Sequence, residues 1–158
     1  MMKMNMKHSF LLVFIFSFFV GHSPLIAQDN APVSVELRLL NDSTLKGLVM
    51  EFTVDSNWIV YDSIAGDNGP IPLSFQMLNA KGVPVNFEIK KPKIKKKFDD
   101  LFMMDIYYFE DHASYQFIVP SAIKTGSILT MEVEYMCCNL STGVCMPPTN
   151  QLLKIELQ

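Results

Sequence analysis

All three cysteines of this 158-residue chain lie in one short segment near its end. Cys137 and Cys138 are adjacent, and six residues separate Cys138 from Cys145. A bridge across so short a ring stabilises a protein by only about 2.5 kcal/mol in the chain-entropy model. Two cysteines in one short loop can instead open and close by thiol–disulfide exchange. Composition alone supports a redox-active loop and a structural hairpin staple equally.

The residues before the cysteines have the pattern of a strand with one buried face. Within residues 127–136, the apolar residues at 129, 131, 133 and 135 alternate with polar residues at 130, 132 and 134. Continuing this alternation puts Cys137 on the buried face and Cys138 on the opposite, wetter face. Turn-forming residues follow: Asn139, Ser141 and Gly143. We therefore predict a strand-end loop in which Cys138 pairs with Cys145, while Cys137 is a small buried apolar side chain.

Binding of a soft metal is the rival chemistry for the same segment. Cys138 and Cys145 could offer thiolate ligands to Cu(I), with thioether ligands from Met136 and Met146. Two further candidates are Met103 and Met104. Methionine also fills gaps in apolar cores, and the chain has eleven of them. The methionines alone therefore do not decide between a ligand set and core packing.

The N-terminus has the pattern of a secretory signal peptide. Lys3 and Lys7 precede an apolar run over residues 10–20, and the small residue Ala27 follows. The apolar run is shorter than the roughly 20 residues that a spanning helix needs. We predict a signal peptide over residues 1–27 and one domain over residues 28–158, with no membrane span after cleavage. Cysteines of an exported protein meet an oxidising compartment.

The charge and composition of residues 28–158 exclude several classes of function. Removing Lys3 and Lys7 leaves a net charge of about −5, which gives no general attraction to nucleic acid. His112 is the single histidine of this part, so a nucleophile–histidine system or a zinc site lacks residues. A glycine-rich phosphate loop is also missing from the sequence.

Six lysines crowd into residues 90–97 of this otherwise acidic chain. We interpret the segment as a solvated connection between strands. The alternative is a basic patch that steers an acidic partner toward the protein.

Short stretches of alternating or apolar residues run from Val33 to the end of the chain, separated by turn signals. The pattern predicts strands over residues 34–39, 48–54, 58–61, 73–78, 83–89, 104–109, 113–119, 127–136 and 153–157. No amphipathic helix is visible. Many short strands at this spacing predict an all-β fold, an immunoglobulin-like β-sandwich.

Several motifs follow one another in a characteristic order: Trp58-Ile59-Val60-Tyr61, Gly69-Pro70-Ile71-Pro72, Phe98-Asp99-Asp100-Leu101-Phe102, Tyr107-Tyr108-Phe109, Tyr135-Met136-Cys137-Cys138-Asn139 and Cys145-Met146-Pro147-Pro148-Thr149. Together they resemble the N-terminal periplasmic domain of DsbD-type thiol:disulfide interchange proteins. The resemblance spans roughly Val33 to Leu157. The spacing between the cysteines is longer than is usual in that family, so the partner of Cys145 stays open between Cys137 and Cys138.

The resemblance implies a thiol:disulfide oxidoreductase that works in the periplasm without a cofactor. A Cys138–Cys145 dithiol would carry electrons from a thioredoxin-like donor to oxidised periplasmic thiol:disulfide proteins. The second cysteine of the pair, Cys145, would be the one that links to partners.

The resemblance also implies a cap over the cysteine pair. The matching segment places Phe102 over the sulfurs, with Asp99 and Asp100 beside it, and an aromatic residue at Tyr61 lines the site. Carboxylates near a thiol disfavour its thiolate, because like charges repel. For Phe98, a place in the core is an equal alternative to a place in the cap.

Overall fold

The computed structural model describes residues 31–40, 46–66, 68–100 and 102–158. The predicted signal peptide, residues 1–27, lies outside the described residues. Within the described ranges the chain forms eleven strands and no α-helix: β1 Val33–Leu39, β2 Gly47–Val54, β3 Trp58–Ile64, β4 Ser74–Asn79, β5 Glu88–Lys90, β6 Lys95–Asp99, β7 Met104–Phe109, β8 His112–Ile118, β9 Ile128–Tyr135, β10 Cys137–Asn139 and β11 Thr149–Glu156. None of the described residues forms a helix with the length and hydropathy that a membrane span requires.

The strands pair into three antiparallel sheets with the orders β1-β2-β8-β5, β10-β3-β7-β6 and β11-β9-β4. Alternation along the strands turns one apolar face of each sheet inward. The inward faces share one large core cluster. This arrangement is the immunoglobulin-like β-sandwich that the sequence predicts.

Phe52 of β2 lies where the three sheets meet. Its ring makes edge contacts with rings of all three sheets: Phe75 at 6.5 Å, Phe109 at 5.3 Å, Tyr115 at 5.7 Å and Tyr135 at 6.0 Å between centroids. Edge-to-face aromatic pairs add about 0.5–1.5 kcal/mol each beyond the burial of their area. This aromatic centre therefore fixes the sheet that carries the cysteines against the other two.

The predicted strand over residues 83–89 is wrong for most of its length. Only Glu88–Lys90 forms a strand, β5. Pro84 makes an isolated bridge with Leu78, and Val85 donates its N–H to the Met77 carbonyl at 2.8 Å. Proline has no N–H to give to a ladder, so Pro84 prevents a continuous pairing of this segment.

The lysine-rich segment is not only a connection, because Lys95–Asp99 is the edge strand β6. Charged side chains on an edge strand discourage pairing with another chain. Four lysines of the segment 90–97 form ion pairs: Lys91–Asp62, Lys95–Glu110, Lys96–Asp105 and Lys97–Asp99. The local pairing balances much of the positive charge, which weakens the interpretation of this segment as a steering patch.

Candidate active site

Cys138 and Cys145 are joined by a disulfide bond, and Cys137 is a free thiol. Strand β10 contains Cys137 and Cys138, the first of which lies opposite Val60 of β3 and the second opposite Ile59. The structure therefore has the predicted loop at a strand end and the pairing that the alternation of the sequence predicts.

Hydrogen bonds to Asn139 hold the turn of the loop. Its side-chain oxygen accepts the N–H groups of Ser141 at 2.9 Å and Thr142 at 3.0 Å. Gly143 has a φ of 70°, a conformation that costs glycine little, and donates its N–H to the Asn139 carbonyl at 2.8 Å. These bonds bring Cys145 alongside Cys138, where the two residues form a β-bridge.

The two adjacent cysteines lie on opposite faces of the sheet, as expected. Cys137 belongs to the large core, while Cys138 belongs to a second, smaller cluster. The expectation that Cys138 lies on the wetter face is wrong, because only 5% of the residue is exposed. Side chains from β3, β7 and the segment after β6 cover that face, and the alternation of a single strand carries no information about them.

The second cluster packs around the disulfide. Ile59, Tyr61 and Ile106 are its buried members beside Cys138. Partly buried side chains pack on them: Ile64, Phe102, Met104, Tyr108, Met136 and Cys145. The Phe102 ring meets the Tyr61 ring edge-on, with centroids 6.3 Å apart. The structure thus brings together Phe102, Tyr61 and the cysteine pair of the sequence prediction.

The acidic residues of the segment differ in position. Asp99 points toward the site: its carboxylate accepts the Phe102 N–H at 3.3 Å, and its side chain is 12% exposed. Asp100 is exposed at the turn after β6. Phe98 is 54% exposed, so its alternative place in the core is wrong.

A cavity of about 150 Å³ opens beside the disulfide. Its lining residues are Tyr61, Lys97, Asp99, Cys138, Asn139, Leu140, Gly143 and Cys145. Cys145 is half-buried, whereas Cys138 is buried. The loop between Cys138 and Cys145 and the residue after it carry exposed apolar side chains: Leu140, Val144 and Met146. Of the two bonded cysteines, Cys145 is therefore the more exposed.

Burial governs the titration of the groups around the disulfide. It raises the pKa of Tyr61 to about 12, with smaller contributions from Asp99 and Cys137. Burial also raises the pKa of the Cys137 thiol to about 11. Both groups are therefore neutral near pH 7, and the charged side chains that line the cavity are Lys97 and Asp99.

Sequence reasoning missed Lys97 as a site residue, because it grouped that lysine with its solvated neighbours. The spacing did contain a signal. Lys97 and Asp99 are two residues apart, so on a strand they share a face with each other.

The methionines proposed as Cu(I) ligands are divided between two environments. Met104 and Met136 pack in the cluster beside the disulfide. Met103 and Met146 are exposed. Among the residues that the structure describes, no three histidine, cysteine, aspartate or glutamate side chains are grouped to hold a metal ion. Thiolate ligands at this site would also require the Cys138–Cys145 bond to be reduced first.

Comparison with known proteins identifies a family and solved structures with a similar fold. The family model described as thiol:disulfide interchange protein DsbD, N-terminal, matches residues 23–157. The structure is similar to the reduced DsbD N-terminal domain of Neisseria meningitidis, with a TM-score of 0.56 and 17% identity over 79% of this chain and 85% of that chain. It is also similar to a structure of the Neisseria meningitidis DsbD N-terminal domain in complex with the PilB N-terminal domain, with a TM-score of 0.55 and 16% identity over 82% of this chain and 86% of that chain. No curated protein sequence matches the chain significantly.

Proposed function

This chain belongs to the family of N-terminal domains of DsbD thiol:disulfide interchange proteins, and we propose that it relays electrons from a thioredoxin-like donor to oxidised exported proteins. The observation that carries the proposal is the disulfide between buried Cys138 and half-buried Cys145, beside an open cavity. A bond between one buried cysteine and one more exposed cysteine suits stepwise exchange.

The relay is a pair of exchange reactions. A thiolate of the reduced donor attacks the Cys145 sulfur, and Cys138 leaves as a thiolate that takes up a proton. The second donor thiol, having lost its proton, then attacks the donor sulfur of this mixed disulfide and releases Cys145. Two electrons and two protons have moved to this protein, and the donor is left with a disulfide.

The second half of the relay reverses these roles. The Cys145 thiolate attacks a disulfide of the oxidised protein and forms a new mixed disulfide. Cys138 loses its proton, attacks the Cys145 sulfur and restores the Cys138–Cys145 bond. The partner leaves with two thiols, so the two electrons have passed on and the site has returned to its starting state.

Phe102 acts in this proposal as a cap, and Tyr61 is the surface on which the cap lies. The Asp99 carboxylate, which lines the cavity, disfavours a thiolate nearby while the cap is closed. A partner that displaces Phe102 would gain access to Cys145. The reduced site then reacts with a docked partner in preference to a small oxidant.

Docking partners are the thioredoxin-like donor and the oxidised thiol:disulfide proteins. A similar domain has been seen in complex with the PilB N-terminal domain. Here Leu140 lines the same cavity as Cys145, and Val144 and Met146 are its neighbours in the chain. Their exposed side chains offer an apolar contact surface. We place the protein in the periplasm, with a signal peptide over residues 1–27 and the exchange domain over residues 28–158.

The test is direct transfer of electrons. The oxidised protein is mixed with a reduced thioredoxin-like protein, quenched with acid, and its new thiols are labelled and located by mass spectrometry. We expect labels on Cys138 and Cys145 together with oxidation of the donor. A disulfide that stays oxidised while the donor reduces a reference substrate would overturn the proposed function.

A further inference from the structure

Lys97 is the cation among the residues that line the cavity beside the disulfide. It stands on β6 opposite Ile106 of β7, a buried member of the cluster around Cys138. Paired residues of adjacent strands share a face, so Lys97 lies on the side of the sheet that carries the cysteine pair.

Contacts from two strands hold the Lys97 ammonium group. Its Nζ lies 3.8 Å from an Asp99 carboxylate oxygen and 5.5 Å from the centre of the Tyr108 ring. The side chain is 34% exposed and that of Asp99 is 12% exposed. A cation at a partly buried position acts on nearby charges with less screening than one in free solution.

Among the described residues, Lys95 is the other cation on this face of β6, but it is paired with Glu110 and does not line the cavity. The remaining titratable groups near the cysteine pair do not supply positive charge. Tyr61 of β3 and Tyr108 of β7 are phenols, and Asp99 of β6 brings a carboxylate. Asp99 alone would oppose the negative charge that appears on sulfur when the disulfide opens. Lys97 brings the opposite charge to the same cavity.

We propose that Lys97 is a positioning residue that stabilises a thiolate of the reduced Cys138–Cys145 pair. Its positive charge offsets the negative charge of Asp99. This inference rests on the proposed function. When the disulfide is reduced, the sulfur that leaves carries the negative charge of the broken bond until it takes up a proton. In the oxidising direction the Cys145 thiol gives its proton to solvent before it attacks.

Lys96 provides a matched control. It has the same kinds of contact as Lys97, with Nζ 2.8 Å from an Asp105 oxygen and 5.6 Å from the centre of the Tyr107 ring. As the neighbouring residue of a strand, it points to the opposite face and does not line the cavity. Replacing either lysine removes one ion pair and one contact with a ring, but only Lys97→Met removes charge from the site.

The experiment measures the alkylation of Cys145 in the reduced protein by iodoacetamide at several pH values, with mass mapping of the modified residue. Lys97→Met should raise the pH midpoint of alkylation by about 0.5–1 unit and slow the reaction at pH 7 about 3- to 10-fold. Lys97→Arg should keep the wild-type profile, and so should Lys96→Met. Asp99→Asn should move the midpoint downward.

A Lys97→Met profile that coincides with those of the wild type and Lys96→Met, or that moves to lower pH, would overturn the proposal. Alkylation needs no protein partner, so this result is separate from a failure of the proposed function. If only the proposed function fails, the midpoint would still move in Lys97→Met, while the wild-type protein would accept no electrons from a thioredoxin-like donor.

Discussion

The Phe102 ring lies edge-on against the Tyr61 ring, with centroids 6.3 Å apart and ring planes at 88°. Tyr61 is buried on β3, whose residue Ile59 stands opposite Cys138. The contact therefore ties the segment after β6 to the strand that supports the disulfide. In the proposed function, a side chain in this position limits access to the disulfide.

Replacing Phe102 with alanine should speed the reduction of the disulfide by dithiothreitol several-fold. The ring is only partly buried, so the free energy of unfolding should fall by only about 1 kcal/mol, the size of an aromatic pair contact. The rate of reduction is measured by labelling the new thiols. The free energy of unfolding is measured by urea unfolding of the oxidised protein.

Phe98→Ala is the control for this prediction, because Phe98 is 54% exposed and neighbours the same acidic pair. Its reduction rate should match that of the wild type. Equal rates in all three proteins would remove Phe102 from the role of a cap.

Single serine variants of the cysteine pair should differ in trapping a partner. Cys138→Ser leaves the half-buried Cys145, which should form a stable mixed disulfide with a thioredoxin-like protein. Cys145→Ser leaves the buried Cys138 and should trap far less. Non-reducing electrophoresis after acid quenching measures both. Equal trapping would refute the assignment of Cys145 as the residue that meets the partner.

Cys137 should make the protein less stable as the pH rises above 9. Burial raises the pKa of its thiol from 9.0 to about 11, so between these values the folded state binds more protons than the unfolded state. Stability is then greatest below pH 9 and is lost as the pH rises toward 11. At pH 10 the loss should be about 1 kcal/mol relative to pH 8.

The measurement compares two variants. Both carry Cys138→Ser and Cys145→Ser, so that no disulfide can rearrange, and one of them also carries Cys137→Ala. Urea unfolding at pH 8, 9 and 10 should show a steeper loss of stability when Cys137 is present. Parallel losses in the two proteins would contradict a buried, protonated Cys137 thiol.

Asp62 should be important for stability because it is a buried carboxylate with two partners from distant segments. It accepts the Tyr115 hydroxyl at 2.6 Å and the Lys91 ammonium at 2.9 Å. Asp62→Ala leaves the buried Tyr115 hydroxyl without its acceptor and should cost about 2–3 kcal/mol in urea unfolding. Lys91 is half-exposed, so Lys91→Met should cost less. A larger loss for Lys91→Met would contradict this assignment.

The sequence predicts the sandwich well because most strands carry a local signal. Residues 129–135 alternate without interruption, and the structure has strand Ile128–Tyr135 there. The same alternation correctly separates Cys137 from Cys138. Residues 83–89 show the limit of this signal, because they alternate like a strand although Pro84 interrupts the backbone pairing.

The surroundings of the disulfide are harder to predict, because they come from contacts between segments that are distant in the chain. Cys138 is buried by side chains that include Tyr61 of β3 and Phe102. The place of Lys97 depends on the register of β6 against β7, which puts it opposite Ile106. Neither the burial nor the register is visible in a single stretch of sequence.

The most direct test is the reduction potential of the Cys138–Cys145 pair. The protein is equilibrated with glutathione or thioredoxin couples of known potential, and the reduced fraction is measured by thiol labelling and mass spectrometry. A disulfide used in exchange should equilibrate at a potential above about −300 mV, the level below which structural disulfides typically lie. A much lower potential, together with tight binding of one Cu(I) ion by the reduced protein, would contradict the relay and favour a metal-binding module.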